Sequence, residues 1–227
     1  MRVTLGFMRI ALFGGSFDPP HHGHLAVARE AIERLQLDEV WMAPVGAQPL
    51  KLGAAATSYE DRLAMVRLAV AGIPGIVAST VDAPRNDGRP NFTIDVLATL
   101  RAAMPPDDEL LFLLGADAFL ALKHWHCADD LLFLCDFIVA GRPGFSTDDA
   151  HHALPPGIDA ERVVKPGAVA WTLRDEAGRR SNLYLLPDLQ VDVSATDIRS
   201  AIAGDKSAEG VLTPAVRRYI EQNGLYR

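Results

Sequence analysis

The sequence predicts an α/β protein built on a doubly wound parallel sheet. Short apolar runs of strand length alternate along the chain with longer segments in which apolar residues recur at helical spacing. The first apolar run ends in the glycine pair Gly14-Gly15 and leads directly into a helical segment, which is the pattern of a βαβ unit. The length of 227 residues suits one such domain with a modest insertion.

The alternation of strand and helix patterns is regular up to residue 140. The apolar runs that match buried strands are Ile10–Phe13, Val40–Ala43, Ile76–Ser79, Leu110–Leu114 and Phe137–Ala140. The segments with helical spacing between them are Gly23–Leu35, Tyr59–Ala71, Thr93–Ala103 and Ala128–Leu134. We therefore expect a five-stranded parallel sheet with helices on both faces. Ligands of such sheets bind beyond the carboxyl ends of the strands.

The pattern weakens after the fifth strand. Residues 145–183 are rich in Pro, Gly, His and charged side chains, which predicts a surface insertion with a hairpin around Val169–Leu173. A last strand is expected at Tyr184–Leu186, followed by a helix that begins after Ser194. A terminal amphipathic helix is expected over Pro214–Gln222, because proline favours the first position of a helix.

We expect one domain over residues 1–227. The first strand pattern starts just after Met8, so residues 1–7 are expected to be an extension from an upstream start that carries no chemistry. They lack the regions of a signal peptide, and no apolar run approaches the roughly 18 residues of a membrane helix. We therefore expect a cytoplasmic protein that does not bind a membrane.

Charge and cysteine content argue against two other classes of protein. The net charge of −7 argues against broad nucleic-acid binding, because a protein that follows phosphate backbones needs a basic face. The two cysteines form no CxxC motif, which argues against a disulfide framework or a zinc site. The sequence leaves open whether the protein forms a homo-oligomer.

The segment GGSFDPPHHGH, from Gly14 to His24, follows the first predicted strand and enters the first helix. Two glycines permit a tight turn whose backbone N–H groups can approach phosphate oxygens, and the helix N-terminus favours an anion. His21 and His24 are spaced so that both can face that anion. Paired imidazoles at this position suit the charge that develops when a nucleotidyl group is transferred. A lone Gly-Gly or a lone histidine would more simply indicate a turn or a helix cap.

The segment VSATDIR, from Val193 to Arg199, lies where the last predicted strand gives way to a helix. Ser194 is a plausible N-cap residue, and Arg199 supplies a permanent planar cation that suits phosphate. Taken alone, the segment is equally consistent with a capped helix that carries a solvated arginine.

Together the two segments resemble the GxFDPxHxGH and ISxTxIR motifs of the nucleotidyltransferase superfamily with the (H/T)xGH tetrapeptide. The resemblance implies a Rossmann-like nucleotidyltransferase fold that binds ATP, with His21, His24 and Arg199 as catalytic groups. His22 occupies the variable position of the tetrapeptide. The ATP-binding residues that the resemblance implies are Gly14, Gly15, Ser16, Phe17, Asp18, Gly23, Gly115, Asp117, Ser194 and Thr196.

Further segments resemble one branch of the superfamily, the nicotinate-nucleotide adenylyltransferases. They are Ser58–Arg62, Asn91–Asp95, Gly115–Asp117 with Trp125 downstream, Gly141–Gly144 and Gly224–Tyr226. Phe92 and Trp125 offer flat surfaces on which a pyridine ring could stack, although aromatic residues are more often buried for packing. The N–H of Thr93 at a helix start could receive the nicotinate carboxylate. His124 and His126, which flank Trp125, are expected to be solvated.

One loop departs from the family pattern. Where the family commonly carries an asparagine, a proline and a His-Lys pair after the second strand, this chain has Gly46 for the asparagine and Leu50 for the histidine. Lys51 keeps a cation in the loop and is a candidate for binding the nicotinate nucleotide.

The resemblance implies a reaction in which AMP passes from ATP to nicotinate mononucleotide, giving nicotinate adenine dinucleotide and pyrophosphate in NAD biosynthesis. Mg²⁺ is expected to be held mainly by the ATP phosphates, without a metal site of the protein's own. Another acceptor, either nicotinamide mononucleotide or phosphopantetheine, remains an alternative, as does nucleotide binding without catalysis. Class I aminoacyl-tRNA synthetases share the HxGH type of site, but this chain is short and has no KMSKS-like loop.

Overall fold

The computed structural model describes residues 7–46, 57–141, 150, 152–165, 167–186, 193–206 and 208–227. The strands within these ranges are β1 (Arg9–Gly15), β2 (Glu39–Pro44), β3 (Ile76–Ala78), β4 (Glu109–Gly115), β5 (Asp136–Ala140), β6 (Asp159–Lys165), β7 (Ala168–Arg174) and β8 (Arg180–Leu186). They form one sheet of eight strands in the order β3-β2-β1-β4-β5-β8-β7-β6. The predicted doubly wound α/β fold is confirmed.

The helices predicted from the sequence are present in the structure, which also has a helix after β4 and a 3₁₀ turn that were not predicted. The helices in the described residues are α1 (His22–Leu35), α2 (Tyr59–Val70), α3 (Thr93–Ala103), α4 (Ala116–Leu120), α5 (Ala128–Leu131), α6 (Ala195–Ala203) and α7 (Pro214–Asn223), with a short 3₁₀ turn at Leu122–His124. The helix α5 is shorter than the expected Ala128–Leu134. None of the helices in the described residues is long and apolar enough to cross a membrane.

The sheet is wider than the five strands expected from the sequence. The first five strands and β8 run parallel, whereas β7 pairs antiparallel with β8, and β6 pairs antiparallel with β7. Much of the stretch expected as a surface insertion therefore extends the sheet instead, and its hairpin is longer than Val169–Leu173. The sequence of β6 is dominated by charged residues because it is an edge strand, so it lacks the apolar alternation that marks a strand from sequence.

Two apolar cores cover the two faces of the sheet. On one face, side chains of α1, α2, α6 and α7 pack against the sheet, and Phe13 points into this core. On the other face, α3, α4 and α5 pack around Leu12 and Phe112. Neighbouring residues of β1 therefore point to opposite cores, as the alternation of a strand requires.

The strand β1 lies between β2 and β4, with β3 beyond β2 and β5 beyond β4. The strands after β1 are thus added first on one side of it and then, from β4, on the other side. At such a reversal of strand order a crevice forms beside the carboxyl ends of the two central strands, here β1 and β4. Those ends are Gly15 and Gly115. The fold thus brings the first glycine motif and the Gly115–Asp117 segment to the edge at which sheets of this kind bind ligands.

Candidate active site

The turn after β1 is tightly packed. A Cβ atom on Gly15 would lie 3.1 Å from the ring of Phe17, and one on Gly14 would lie 3.3 Å from the ring of Phe112. Phe17 has φ of 47°, is 1% exposed, and meets the rings of Phe13 and His24 edge-on. Its side chain therefore packs under the turn, inside the protein, and only its backbone is available to a ligand.

The two motif histidines stack at the start of α1. The ring centroids of His21 and His24 are 3.7 Å apart and their planes differ by 29°. His21 is the N-cap residue, and its backbone N–H donates to Nδ1 of His24 at 3.2 Å, as in a capping box. His21 is buried, whereas the variable His22 is exposed. The structure therefore brings together the two histidines that the sequence singled out, and their orientation is fixed by the helix terminus.

Arg199 joins the two motifs. Its Nη1 donates to the backbone oxygen of Asp18 at 2.8 Å, and its Nη2 donates to Oγ1 of Thr196 at 3.2 Å. Ser194 caps α6, as predicted, because its hydroxyl accepts the N–H of Thr196. The start of α6 thus lies against the turn after β1, although the two segments are far apart in sequence.

The carboxylate of Asp18 is held by the end of the chain. Asp18 is buried, and its Oδ1 accepts a hydrogen bond of 2.6 Å from the hydroxyl of Tyr226. Burial, followed by this hydrogen bond, raises the pKa of Tyr226 well above its ordinary value, so the phenol stays protonated and donates. Asp18 therefore fixes the turn instead of facing solvent.

A buried arginine that sequence reasoning did not single out supports the same turn. Arg62 of α2 donates from Nη1 to the backbone oxygen of Ser16 at 3.0 Å and from Nε to that of Thr57 at 3.2 Å. It is only 6% exposed, and burial lowers its pKa from the ordinary arginine value. The available signals were the Ser58–Arg62 segment and the position of Arg62 on the otherwise apolar buried face of α2.

The end of β4 presents open backbone to the crevice. Gly115 has an ordinary φ of −77°, and a Cβ atom added to it would meet no atom of the described residues within 4 Å. Asp117 is exposed in the first turn of α4. Gly23, by contrast, is buried in the first turn of α1.

The residues predicted to form the pyridine pocket lie around the start of α3. Phe92 is the N-cap residue and Thr93 is the first helical residue, as expected. The ring of Phe92 stacks on that of His126 at 4.2 Å, with planes 30° apart, whereas Trp125 is half-buried with its ring edge-on to Phe112 at 6.3 Å. His124 and His126 are exposed, as expected, and the ring of His126 in addition covers that of Phe92.

The connection before α3 contains a carboxyl group with a perturbed pKa. Asp82 accepts from Nδ2 of Asn91 at 2.9 Å and from the backbone N–H of Gly46. Burial raises its pKa to about 6, against the opposing effect of these two hydrogen bonds. Lys51 and the segment 142–144 lie outside the described residues.

The arrangement is suited to an anion. The N-termini of α1 and α6 both reach the turn after β1, and each supplies backbone N–H groups and the positive end of a helix dipole. His21, His24 and Arg199 add donors that can be cationic. In the part of the chain that the structure describes, no group of three or more His, Cys, Asp or Glu side chains is placed to hold a metal.

Comparison with known proteins agrees with this geometry. The model of the cytidylyltransferase-like family matches residues 12–201. A curated protein of Laribacter hongkongensis, named "Probable nicotinate-nucleotide adenylyltransferase", is 43% identical over 99% of this chain and 97% of its own length. A protein of the same name from Gemmatimonas aurantiaca is 40% identical over 97% of this chain and 93% of its own length.

Solved structures share the fold. The nicotinic acid mononucleotide adenylyltransferase of Plasmodium falciparum complexed with NaAD superimposes with a TM-score of 0.69 at 18% identity, covering 96% of this chain and 97% of that one. The same enzyme complexed with APC gives a TM-score of 0.68 over the same shares of the two chains. The likeness therefore extends over nearly the whole of this chain.

Proposed function

The chain belongs to the nicotinate-nucleotide adenylyltransferases of the cytidylyltransferase-like family, and from this premise we propose that it transfers AMP from ATP to nicotinate mononucleotide at the turn after β1. The products are nicotinate adenine dinucleotide and pyrophosphate, so the enzyme serves NAD biosynthesis. The observation that carries this proposal is the contact between Arg199 and Asp18, which joins both family motifs into one anion-binding site.

The reaction is a displacement at the α-phosphorus of ATP. An oxygen of the acceptor's 5′-phosphate forms a bond to that phosphorus, and the bond to the oxygen that bridges to the β-phosphate breaks. The electron pair of the broken bond leaves with pyrophosphate. Little covalent chemistry falls to the protein, so catalysis consists of positioning the two substrates and stabilising the developing charge.

We assign the charge stabilisation to His21, His24 and Arg199. The stacked imidazoles stand at the N-terminus of α1, where the helix dipole already favours negative charge. The planar guanidinium of Arg199 offers further donors in a fixed fork. These groups are held before substrate arrives, by the capping box and by the contact with Asp18, so they need little reorganisation when charge develops.

We assign ATP to the crevice at the carboxyl ends of β1 and β4. The backbone of Gly14, Gly15 and Ser16, with Asp18 and Gly23 shaping the turn, lies beside the phosphates. Gly115 gives the nucleotide close access to the end of β4, and Asp117 accepts a hydrogen bond from a ribose hydroxyl. Ser194 and Thr196 line the phosphates from the start of α6.

We assign nicotinate mononucleotide to the start of α3. The N–H of Thr93 receives the pyridine carboxylate, and the rings of Phe92 and Trp125 flank the pyridine, with Lys51 near the 5′-phosphate. Because the ring of His126 stacks on that of Phe92, the pyridine either displaces this imidazole or stacks on it.

The groups assigned to the triphosphate are hydrogen-bond donors, and the buried Asp18 carboxylate is engaged by Tyr226. This donor set fits a Mg²⁺ ion that arrives with ATP and is held by phosphate oxygens and water. When bound, the ion offsets the charge of the departing pyrophosphate.

The test is pyrophosphate release from Mg-ATP with nicotinate mononucleotide, nicotinamide mononucleotide and 4′-phosphopantetheine offered in parallel, with the product identified by mass. Preference for nicotinate mononucleotide supports the assigned pocket. Preference for another acceptor keeps the phosphate chemistry and contradicts the roles of Phe92, Thr93 and Trp125. ATP binding without turnover on any acceptor contradicts the catalytic assignment as a whole.

A further inference from the structure

Asp82 links two chain segments that border the proposed acceptor pocket. It lies in the connection between β3 and α3, where its Oδ1 accepts from Nδ2 of Asn91 at 2.9 Å. The same Nδ2 also donates to the backbone oxygen of Ala83 at 2.8 Å. Asn91 immediately precedes Phe92 and Thr93, so these contacts fix the point at which α3 begins.

The second segment is the start of the connection that follows β2, at Gly46. The backbone N–H of Gly46 donates to the Asp82 carboxylate. A Cβ atom on Gly46 would lie 2.6 Å from the nitrogen of Pro84 and 2.7 Å from the backbone oxygen of Asp82, so only glycine fits. The replacement of the family's asparagine by Gly46 thus coincides with a direct backbone contact to the connection before α3.

We propose that Asp82 is a positioning residue for the pyridine nucleotide, because it joins the backbone at Gly46 to the start of α3 and so fixes the N–H of Thr93 and the ring of Phe92. This inference rests on the proposed function, in which the start of α3 receives the acceptor. Asp82 does not touch the substrate in this arrangement. It acts through Asn91 and through Gly46.

The surroundings of Asp82 explain why a carboxylate is used for this link. Its two oxygens can accept hydrogen bonds from two different segments at once, which a hydroxyl or an amide side chain does less well. The facing charged and titratable groups are Arg62 and Tyr59 of α2. Arg62 is directed to the backbone of Ser16 and Thr57 instead, so it forms no ion pair with Asp82 in the described residues.

Burial of the ionised Asp82 carboxylate also lowers the stability of the folded protein. Burial raises the pKa of Asp82 to about 6, and burial followed by the charge of Asp82 raises that of Tyr59. The hydroxyl of Tyr59 is buried and has no hydrogen-bond partner among the described residues. A charged group kept where it lowers stability is a common mark of functional sites.

The test uses Asp82→Asn in the full chain, because asparagine keeps the volume but replaces one acceptor oxygen by a donor. We expect KM for nicotinate mononucleotide to rise about tenfold or more, since a hydrogen bond to a charged group is lost. KM for ATP and kcat should stay within about twofold, because neither the turn after β1 nor α6 is touched. Equal changes for both substrates, or no change, would overturn the proposal.

Asn91→Ala provides a second route to the same link and serves if Asp82→Asn lowers the melting temperature strongly. It should raise KM for nicotinate mononucleotide as well. The KM of the double variant should be little higher than that of either single variant, because the two residues act as one unit. Full additivity of the two effects contradicts the link. The matched control is Asp87→Asn, which removes an exposed carboxylate from the same connection, and it should leave all constants unchanged.

A pH profile separates positioning from a loss of structure. The ratio of the variant's KM to that of the wild type should fall toward one as the pH drops below about 6, because wild-type Asp82 is then protonated. A ratio that stays constant across this range contradicts the role of the carboxylate. Wild-type turnover is measured first, and its absence with nicotinate mononucleotide counts against the proposed function. If the wild type turns over and the variants keep its KM for nicotinate mononucleotide, only the Asp82 proposal is contradicted.

Discussion

The hydroxyl of Tyr226 donates to Oδ1 of Asp18 at 2.6 Å, across 208 positions of sequence. The backbone oxygen of the same Asp18 accepts from Arg199. The turn that leads to the proposed catalytic histidines is therefore held by two segments from the end of the chain. Arg62 holds it from the other side through Ser16. The geometry of the first motif thus depends on residues that lie far from it in sequence.

Tyr226→Phe should lower both stability and turnover. The substitution leaves the Asp18 carboxylate buried without its donor, and a hydrogen bond to a charged group contributes roughly 1.5–3 kcal/mol. We expect a lower melting temperature and a reduced kcat, because the turn loses one of its anchors. Thermal unfolding and pyrophosphate release measure the two effects.

The control for Tyr226→Phe is Tyr219→Phe. It removes a hydroxyl that donates to Asp61 at 2.8 Å between α7 and α2, outside the turn. This variant should keep wild-type kcat. If both variants reduce kcat equally, the contact with Asp18 has no special role in the reaction.

His24→Gln should separate helix capping from catalysis. A glutamine at this position can still accept the N–H of His21, as in an ordinary capping box, so the start of α1 stays intact. The imidazole is lost, and we expect turnover to fall about 10²–10³-fold with little change in melting temperature. The exposed neighbour gives the control, and His22→Gln should be nearly silent. Near-normal turnover of His24→Gln would remove this residue from the catalytic set.

Arg199→Lys should weaken the site while keeping the charge. Arg199 uses two nitrogens at once, one for Asp18 and one for Thr196, and a lysine cannot reproduce this fork. We expect kcat/KM for ATP to fall about tenfold or more, measured by initial rates at varied ATP concentration. The matched control, Arg217→Lys on the exposed face of α7, should leave it unchanged. If Arg199→Lys kept the wild-type kcat/KM for ATP, only the charge at this position would matter.

Much of the fold and of the proposed active site could be predicted from the sequence, because the signals are local. The strand–turn–helix pattern around Gly14–His24 and the cap at Ser194 depend on neighbouring residues alone. The roles of Arg62 and Tyr226 could not be predicted, since each depends on a contact between distant segments. The same holds for His126, whose ring covers Phe92 only because the fold places α3 beside the turn before α5.

Asp82 should make stability depend on pH in an identifiable direction. Its pKa in the folded protein is about 6, against about 4 in an unfolded chain, so the folded state binds more protons between these values. The contribution of Asp82 to the free energy of unfolding therefore falls as the pH rises through this window. In urea unfolding, the stability of Asp82→Asn relative to the wild type should increase from about pH 4 to pH 7.

Asp87→Asn supplies the contrast for this measurement. The pKa of Asp87 is lowered to about 2 by the hydrogen bond from Arg85, so its carboxylate is ionised throughout the same range. The difference between Asp87→Asn and the wild type should show no upward trend from about pH 4 to pH 7. If Asp82→Asn also showed no upward trend relative to the wild type, the pKa of Asp82 would not be raised in the folded protein.

Gly115→Ala should fold normally yet bind ATP poorly. The φ of Gly115 is one that alanine adopts readily, and a Cβ atom would meet none of the described residues within 4 Å. The same Cβ atom would occupy the open edge of the sheet where we place the nucleotide. We therefore expect an unchanged or slightly higher melting temperature, since alanine restricts the unfolded chain, together with a KM for ATP raised roughly tenfold or more. Gly204→Ala at the end of α6, where φ is also ordinary and the nearest atom is 3.4 Å away, is the matched control. If Gly115→Ala kept the wild-type KM for ATP, the nucleotide would have to lie away from the end of β4, and the assignment of Asp117 to the ribose would be lost with it.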